Sequence, residues 1–241
     1  EDAFLRSLFP GRAGDPPLGL VRDRTGIYFD ASAPSDLENL LAQHPLDDTA
    51  LLDRARDAIA RMRAGHLGKY SAVDPDLPAP DPGFVLIIDQ TRGDAAIAHG
   101  GANADSFAEM LYTAAEDHSD ATLLIKTHPE TRAGHRPGHF DPANLPPKAR
   151  ILDSPVSPWT LFDSARAVYT VSSTMGFEAI LAGHRPVTFG VPFYAGWGLT
   201  DDRRPTPARR QRRLTAAQLA AAAMILYPIW YDPYRDRLGT L

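Results

Sequence analysis

The feature that most constrains this chain is a pair of apolar runs that do not alternate. Val85-Leu86-Ile87-Ile88 and Leu123-Leu124-Ile125 are apolar at every position, where a strand with one wet face would switch between apolar and polar. Strands of that kind are buried on both faces, which requires a parallel sheet covered by helices on each side. The surrounding pattern agrees. Strands are expected at 84–89, 122–126, 150–152, 167–171 and 186–189, with helices at 104–117, 158–165 and 176–182. The expectation is a Rossmann-like α/β sheet.

Upstream, 18–21 and 26–30 read as two strands of a hairpin. Ser35 then caps a helix, with Glu38 three residues on as a capping box requires and Leu37, Leu40 and Leu41 at helical spacing. A second helix fits 49–64. Between residues 74 and 83, four prolines exclude a helix or an inner strand and suit a stiff connector. That connector divides the chain into an N-terminal lobe (1–82), a Rossmann-like lobe (83–213) and a C-terminal helical segment (214–241). The arginines at 203, 204, 209, 210, 212 and 213 precede the last helix and read as a solvated face rather than an anion-binding patch.

Composition excludes several functions. With 241 residues and 44% hydrophobic side chains the chain is long enough to build a core, and its net charge of −5 offers no general attraction to nucleic acid or an anionic membrane. Zero cysteines exclude a disulfide framework, a thiolate zinc site and a cysteine nucleophile, and accord with a cytoplasmic setting. No apolar run approaches the roughly 20 residues of a membrane span, and the opening Glu1-Asp2-Ala3-Phe4 lacks the features of a signal peptide. The absence of an initial Met suggests a cut from a longer chain.

In an open parallel sheet, ligands bind at the carboxyl ends of the strands, so the informative residues directly follow each expected strand. Those are Asp89-Gln90-Thr91-Arg92-Gly93-Asp94, Lys126-Thr127-His128-Pro129, Asp153-Ser154-Pro155-Val156-Ser157, and Ser172-Ser173-Thr174-Met175-Gly176-Phe177-Glu178. The Ser172–Thr174 turn leads into a helix, where hydroxyls and free N–H groups can hold a phosphate, although such residues equally serve as plain caps. Glu178, one turn further, could reach a ribose hydroxyl. His128 could hydrogen-bond a phosphate oxygen or protonate a leaving group, or be structural. Asp94, after a glycine, suits a nucleophile or general base and equally a turn. Asp89 competes with it, but an aspartate at the strand's own end is often engaged by backbone N–H groups. No GxGxxG or GxxxxGK[ST] fingerprint is present, and His135 and His139 lack a carboxylate at metal-binding spacing.

At this point a family resemblance enters. Thr174-Met175-Gly176-Phe177-Glu178-Ala179 and Pro192-Phe193-Tyr194-Ala195-Gly196-Trp197-Gly198-Leu199-Thr200-Asp201-Asp202-Arg203 resemble the signature of bacterial capsule polysaccharide β-Kdo transferases, where Kdo is 3-deoxy-D-manno-oct-2-ulosonic acid. Lys126-Thr127-His128-Pro129, Leu67-Gly68-Lys69-Tyr70 and the opening Glu1-Asp2-Ala3-Phe4-Leu5-Arg6-Ser7 extend the likeness, with Ala3 where that family usually has glycine. The resemblance implies a GT-B-like glycosyltransferase of two Rossmann-like lobes, here with the C-terminal donor lobe complete and the N-terminal acceptor lobe partial. It implies CMP-Kdo as donor, a lipid-linked Kdo oligosaccharide on phosphatidylglycerol as acceptor, peripheral contact with the inner membrane, and neither metal nor cofactor. By the same resemblance Asp94 would be the nucleophile, with His128 the second catalytic residue. Gln90, Lys126, Ser157, Ser172, Ser173, Thr174 and Glu178 would bind the donor, and Arg92, Tyr194 and Trp197 would meet the sugar or acceptor. The alternatives are a non-catalytic CMP-binding scaffold and an epimerase-like enzyme acting on a UDP-sugar.

Overall fold

A computed structural model describes residues 1–11 and 14–241. Its centre is a six-stranded sheet in the order β4-β3-β2-β5-β6-β7, formed by β2 (Val85–Ile88), β3 (Leu123–Lys126), β4 (Ala149–Leu152), β5 (Ala167–Thr170), β6 (Val187–Thr188) and β7 (Asp201–Asp202). Every pairing is parallel, with Val85 level with Leu123 on one side and with Ala167 on the other. All four β2 residues are buried, as their unbroken apolar run demands. The sheet order reverses direction of growth at β2: β3 follows on one side, and β5 fills the other. The crevice beyond the carboxyl ends of β2 and β5 is therefore the topological switch point.

Helices cover both faces. α4 (Ala104–Asp117) buries Phe107, Met110, Leu111 and Ala114 in a core that also contains Val85, Ile87, Leu123 and Ile125. The opposite face, with Leu86, Ile88, Leu124 and Val168, merges with a larger core. Side chains from α6 (Pro158–Ser164) and α7 (Thr174–Leu181) enter it, as do residues from both ends of the chain, including Leu37 and Leu41 of α1 (Asp36–Gln43) and Met62 of α2 (Thr49–Ala64). α8 (Ala216–Ala220) continues as a π-helical turn through Ala221–Leu226 and packs on α2. Residues before the proline connector and residues after 214 thus share one interior. Among the described residues no helix is long and apolar enough to cross a membrane.

Two expectations need correction. β1 (Gly19–Val21) does not pair with 26–30; its partner is β8 (Pro228–Asp232), which also pairs with β9 (Arg237–Gly239). Residues 26–30 instead turn, with Gly26 so close to the Pro34 carbonyl that a Cβ would lie 2.6 Å from it. This turn carries Tyr28 into an aromatic cluster, its ring 4.8 Å from Phe4 and 5.7 Å from Phe193. Second, the arginine tract is only in part a solvated face: Arg203, Arg209 and Arg213 are exposed, but Arg210 is buried and Arg204 and Arg212 are partly so. Arg210 is 4% exposed and donates through Nε to Glu38 at 2.8 Å and through Nη1 to the carbonyls of Pro192 and Ala195. Arg209 also pairs with Glu38, and Arg212 donates to the carbonyls of His44 and Pro45. Ser35 does cap α1 by accepting from the Glu38 N–H at 3.0 Å. The Glu38 carboxylate goes to the arginines instead.

Candidate functional site

The first loop of the crevice is held by its own backbone. Asp89, just past β2, is 5% exposed and accepts from the Gln90 N–H at 2.8 Å and the His139 N–H at 3.1 Å. Burial pushes its carboxyl up to about 6. Gly138 lies over its other oxygen, where a Cβ would come within 2.2 Å. Gln90, 2% exposed, then bridges the switch point: its side-chain carbonyl accepts from the Ser172 N–H at 3.0 Å, and its amide donates to Ser172 Oγ at 3.2 Å. The same amide lies 3.5 Å from Asp94 Oδ2. Asp94 caps α3 (Ala95–His99) by accepting from Ala96 N–H through Oδ1 at 3.0 Å. One carboxylate oxygen thus fixes the turn and the other borders the cleft.

The second wall is the start of α7. Ser173 caps it by accepting from Met175 N–H at 3.2 Å, so the helix begins at Thr174, two residues before the position expected. Gly176 has no room for a side chain because the Tyr194 hydroxyl would sit 2.2 Å from its Cβ. That hydroxyl donates to the Ser173 carbonyl at 2.5 Å. Tyr194 and Trp197 are fully buried, the Trp197 ring N–H donating to the Phe193 carbonyl at 2.8 Å. Asp202 pins the following loop by accepting from Gly196 N–H and from the Thr188 and Thr200 hydroxyls. The long aromatic-glycine motif therefore braces the α7 turn from behind, and neither of its two large polar aromatics lines the cleft as the sugar-contact expectation would have them do.

His128 caps α5 (Pro129–Arg132) by accepting from Glu130 N–H on Nδ1 at 3.1 Å. Its proton accordingly sits on Nε2, 3.2 Å from the Tyr70 hydroxyl. Burial, then the nearby Lys69 charge, pulls its pKa down to about 4, so it is a neutral N–H donor near pH 7. Lys126 donates to the Ser154 carbonyl at 2.8 Å, and burial lowers it to about 8. Glu178, 5% exposed, accepts from Lys69 N–H at 2.8 Å while Gly68 packs against its carboxyl.

Burial lifts Glu178 from an ordinary 4.5 to about 7. The neutral acid is therefore the form that fits the fold, and its contribution, intact at acid pH, is lost as pH rises through about 7. Glu178→Gln, which mimics that form, should gain about 2–3 kcal/mol on the wild type between acid and mildly alkaline pH, read from urea unfolding at each pH. A pH-independent difference would show that the buried carboxylate is as well accommodated as the acid.

These residues surround one cleft of about 590 Å³. Asp94, His128, Gln90, Lys126, Ser172, Ser173, Thr174 and Glu178 all line it. Ser157 does not: it is fully buried, caps α6 and lies 2.7 Å from His66 Nδ1. Arg92 is exposed beside the cleft, its carbonyl accepting from Arg136. The sequence reading missed the wall supplied by the first 73 residues, among them Phe9, Tyr28, Phe29, Lys69 and Tyr70. Only the Leu67-Gly68-Lys69-Tyr70 motif gave a signal for it.

Residues 56–230 match the family described as capsule polysaccharide biosynthesis protein. Among curated relatives, the capsule polysaccharide modification protein LipA of Neisseria meningitidis serogroup B is 40% identical over all of this chain, and the lipopolysaccharide-processing protein LpsZ of Rhizobium meliloti is 39% identical over 95% of it. The chain spans 36% of LipA and 53% of LpsZ. Two solved structures from Thermosulfurimonas dismutans align over all of it: the KpsC β-Kdo 2,4 transferase (39% identity, TM-score 0.94, 75% of that chain covered) and the KpsC β-Kdo 2,7 transferase (30%, 0.77, 72%). With a family match over residues 56–230 and relatives about 40% identical along its length, the chain belongs to the capsule polysaccharide biosynthesis protein family.

Proposed function

We propose that the cleft binds CMP-Kdo and that the chain carries the donor-site chemistry of a retaining β-Kdo transferase acting on a lipid-linked Kdo acceptor at the cytoplasmic side of the inner membrane. The observation that carries the reading is the meeting of the α7 N-terminus, the neutral His128 donor and the Asp94 carboxylate around one cleft. The Ser172–Thr174 hydroxyls suit a phosphate, and the positive end of the helix dipole favours its charge. Donors aimed at that phosphate act most strongly as the sugar leaves and negative charge grows on it.

CMP-β-Kdo and a β-linked product share one configuration, which calls for two inversions. In the first, Asp94 attacks the anomeric carbon and CMP departs with the bonding electron pair. In the second, an acceptor hydroxyl oxygen attacks the anomeric carbon, the bond to Asp94 breaks to regenerate its carboxylate, and the hydroxyl proton passes to water. This route requires no metal or cofactor. The greater likeness to the 2,4 transferase than to the 2,7 transferase favours attack by the acceptor's 4-hydroxyl.

The test is calorimetric titration with CMP and with UDP, with CMP expected to bind more tightly. Losing a hydrogen bond to a charged group typically costs about 1.5–3 kcal/mol, so His128→Ala should weaken CMP binding roughly tenfold to a hundredfold and Ser173→Ala somewhat less. Wild-type CMP affinity in His128→Ala would remove the phosphate site from this face.

A further inference from the structure

Lys69 lines the cleft beside residues that have partners. Lys126 donates to Ser154, Arg132 reaches the Asp153 carbonyl at 3.5 Å, and Arg6, nearby, pairs with Glu1 at 3.1 Å. The Lys69 ammonium lies over the Tyr70 ring, 5.5 Å from its centroid, and among the described residues it makes no hydrogen bond or ion pair. Its backbone, by contrast, is clamped. The Lys69 N–H donates to Glu178, Gly68 N–H donates to Ser71 Oγ, and the Gly68 carbonyl accepts from Arg6 N–H. Burial and the charge of Arg6 lower the ammonium below its ordinary value, although Asp94, Glu1 and Glu178 act against the shift without forming an ion pair with it. A half-buried cation on a loop with a clamped backbone, facing a cleft and in no direct ion pair among the described residues, is arranged for an anion that arrives with the ligand.

We propose that Lys69 binds the carboxylate of the transferred sugar, and so selects an acidic donor; the proposal rests on the CMP-Kdo reading above. The phosphate already has the α7 N-terminus and His128. The sugar end has a different electrostatic problem. In a 2-ulosonic acid the carboxylate is attached to the anomeric carbon itself, so attack by Asp94 brings two negative groups together at the reacting atom. Unscreened, that repulsion opposes the approach of the nucleophile. Lys69 lines the same cleft as Asp94 and His128 and is within electrostatic reach of both. Its ammonium offsets the repulsion where it arises.

The experiment compares wild type, Lys69→Met and Lys69→Arg in two assays: CMP titration, which presents phosphate and no sugar carboxylate, and steady-state transfer from CMP-Kdo. Thermal unfolding of each variant checks that the clamp, which uses only the Lys69 backbone, survives. Lys69→Met should bind CMP within about twofold of wild type and lose roughly tenfold to a hundredfold in kcat/KM for CMP-Kdo, with part of the loss restored in Lys69→Arg. Equal weakening towards CMP and donor would assign Lys69 to the phosphate and overturn the proposal. Unchanged kcat/KM would overturn it as well. A wild-type protein that fails to bind CMP would instead defeat the donor reading itself, and that outcome is distinguished by appearing before any substitution is made.

Discussion

Asp94→Asn should abolish sugar transfer, by at least about a thousandfold, while CMP affinity and folding stay close to wild type. Asparagine is the informative substitution because Asp94 has two separable jobs. Its Oδ1 accepts from the Ala96 N–H and caps α3, which an asparagine oxygen can also do. Its Oδ2, 3.5 Å from the Gln90 amide, has no backbone donor among the described residues, and Asp94 borders the cleft. Alanine would remove both, adding a cap loss of about 1 kcal/mol and blurring the result. The rival carboxylate, Asp89, is poorly suited: two backbone N–H groups hold one oxygen, Gly138 covers the other, and burial favours its protonated form. Mass spectrometry of donor-treated protein should find the sugar ester on Asp94. An adduct on Asp89, or transfer persisting in Asp94→Asn, would sink the assignment.

The sequence made the central sheet legible because its strands are defined by local pattern: β2 and β3 are apolar at each buried position, and the polar residues that follow them can only lie on the strand-end rim. The α7 turn was legible for the same reason, since Ser173 and Gly176 are local signals. What could not be read were contacts between distant segments. Gly19–Val21 finds its strand partner at 228–230, and nothing within either stretch encodes that choice over the nearer 26–30. Tyr194 and Trp197 resemble cleft aromatics in the sequence because an aromatic ring stacks on a sugar or fills a core equally well. Burial decided for the core, and the Tyr194–Ser173 bond gave the motif its purpose as a brace. Lys69 sits in a recognisable motif that does not reveal its role, because an ammonium without an ion pair is visible only once its neighbours are in place.

The arginine tract yields the largest expected effect on stability. Glu38→Ala should destabilise the fold by about 3–5 kcal/mol, because it leaves Arg210 charged and buried without its carboxylate. For a chain of this size that corresponds to a melting temperature lower by roughly 10 °C. The Arg210 side chain is 1% exposed and that of Glu38 7%, so solvent cannot replace either partner. The Pro192 and Ala195 carbonyls that Arg210 also engages supply dipoles, not a full opposing charge. Much of the loss comes from the orphaned charge rather than from the pair, so Glu38→Leu combined with Arg210→Met should cost clearly less than the two single changes added together. A single-variant cost below about 1 kcal/mol would mean that the carbonyls and Arg209's neighbours already satisfy the site. The effect should also reach the cleft. Arg210 anchors the carbonyls on either side of Phe193 and Tyr194, and Tyr194 holds the Ser173 carbonyl at the start of α7. Loosening that anchor frees the phosphate-binding turn to move, so Glu38→Ala should weaken CMP binding although Glu38 does not line the cleft, and the double variant, which also lacks the Arg210 anchor, should not restore it.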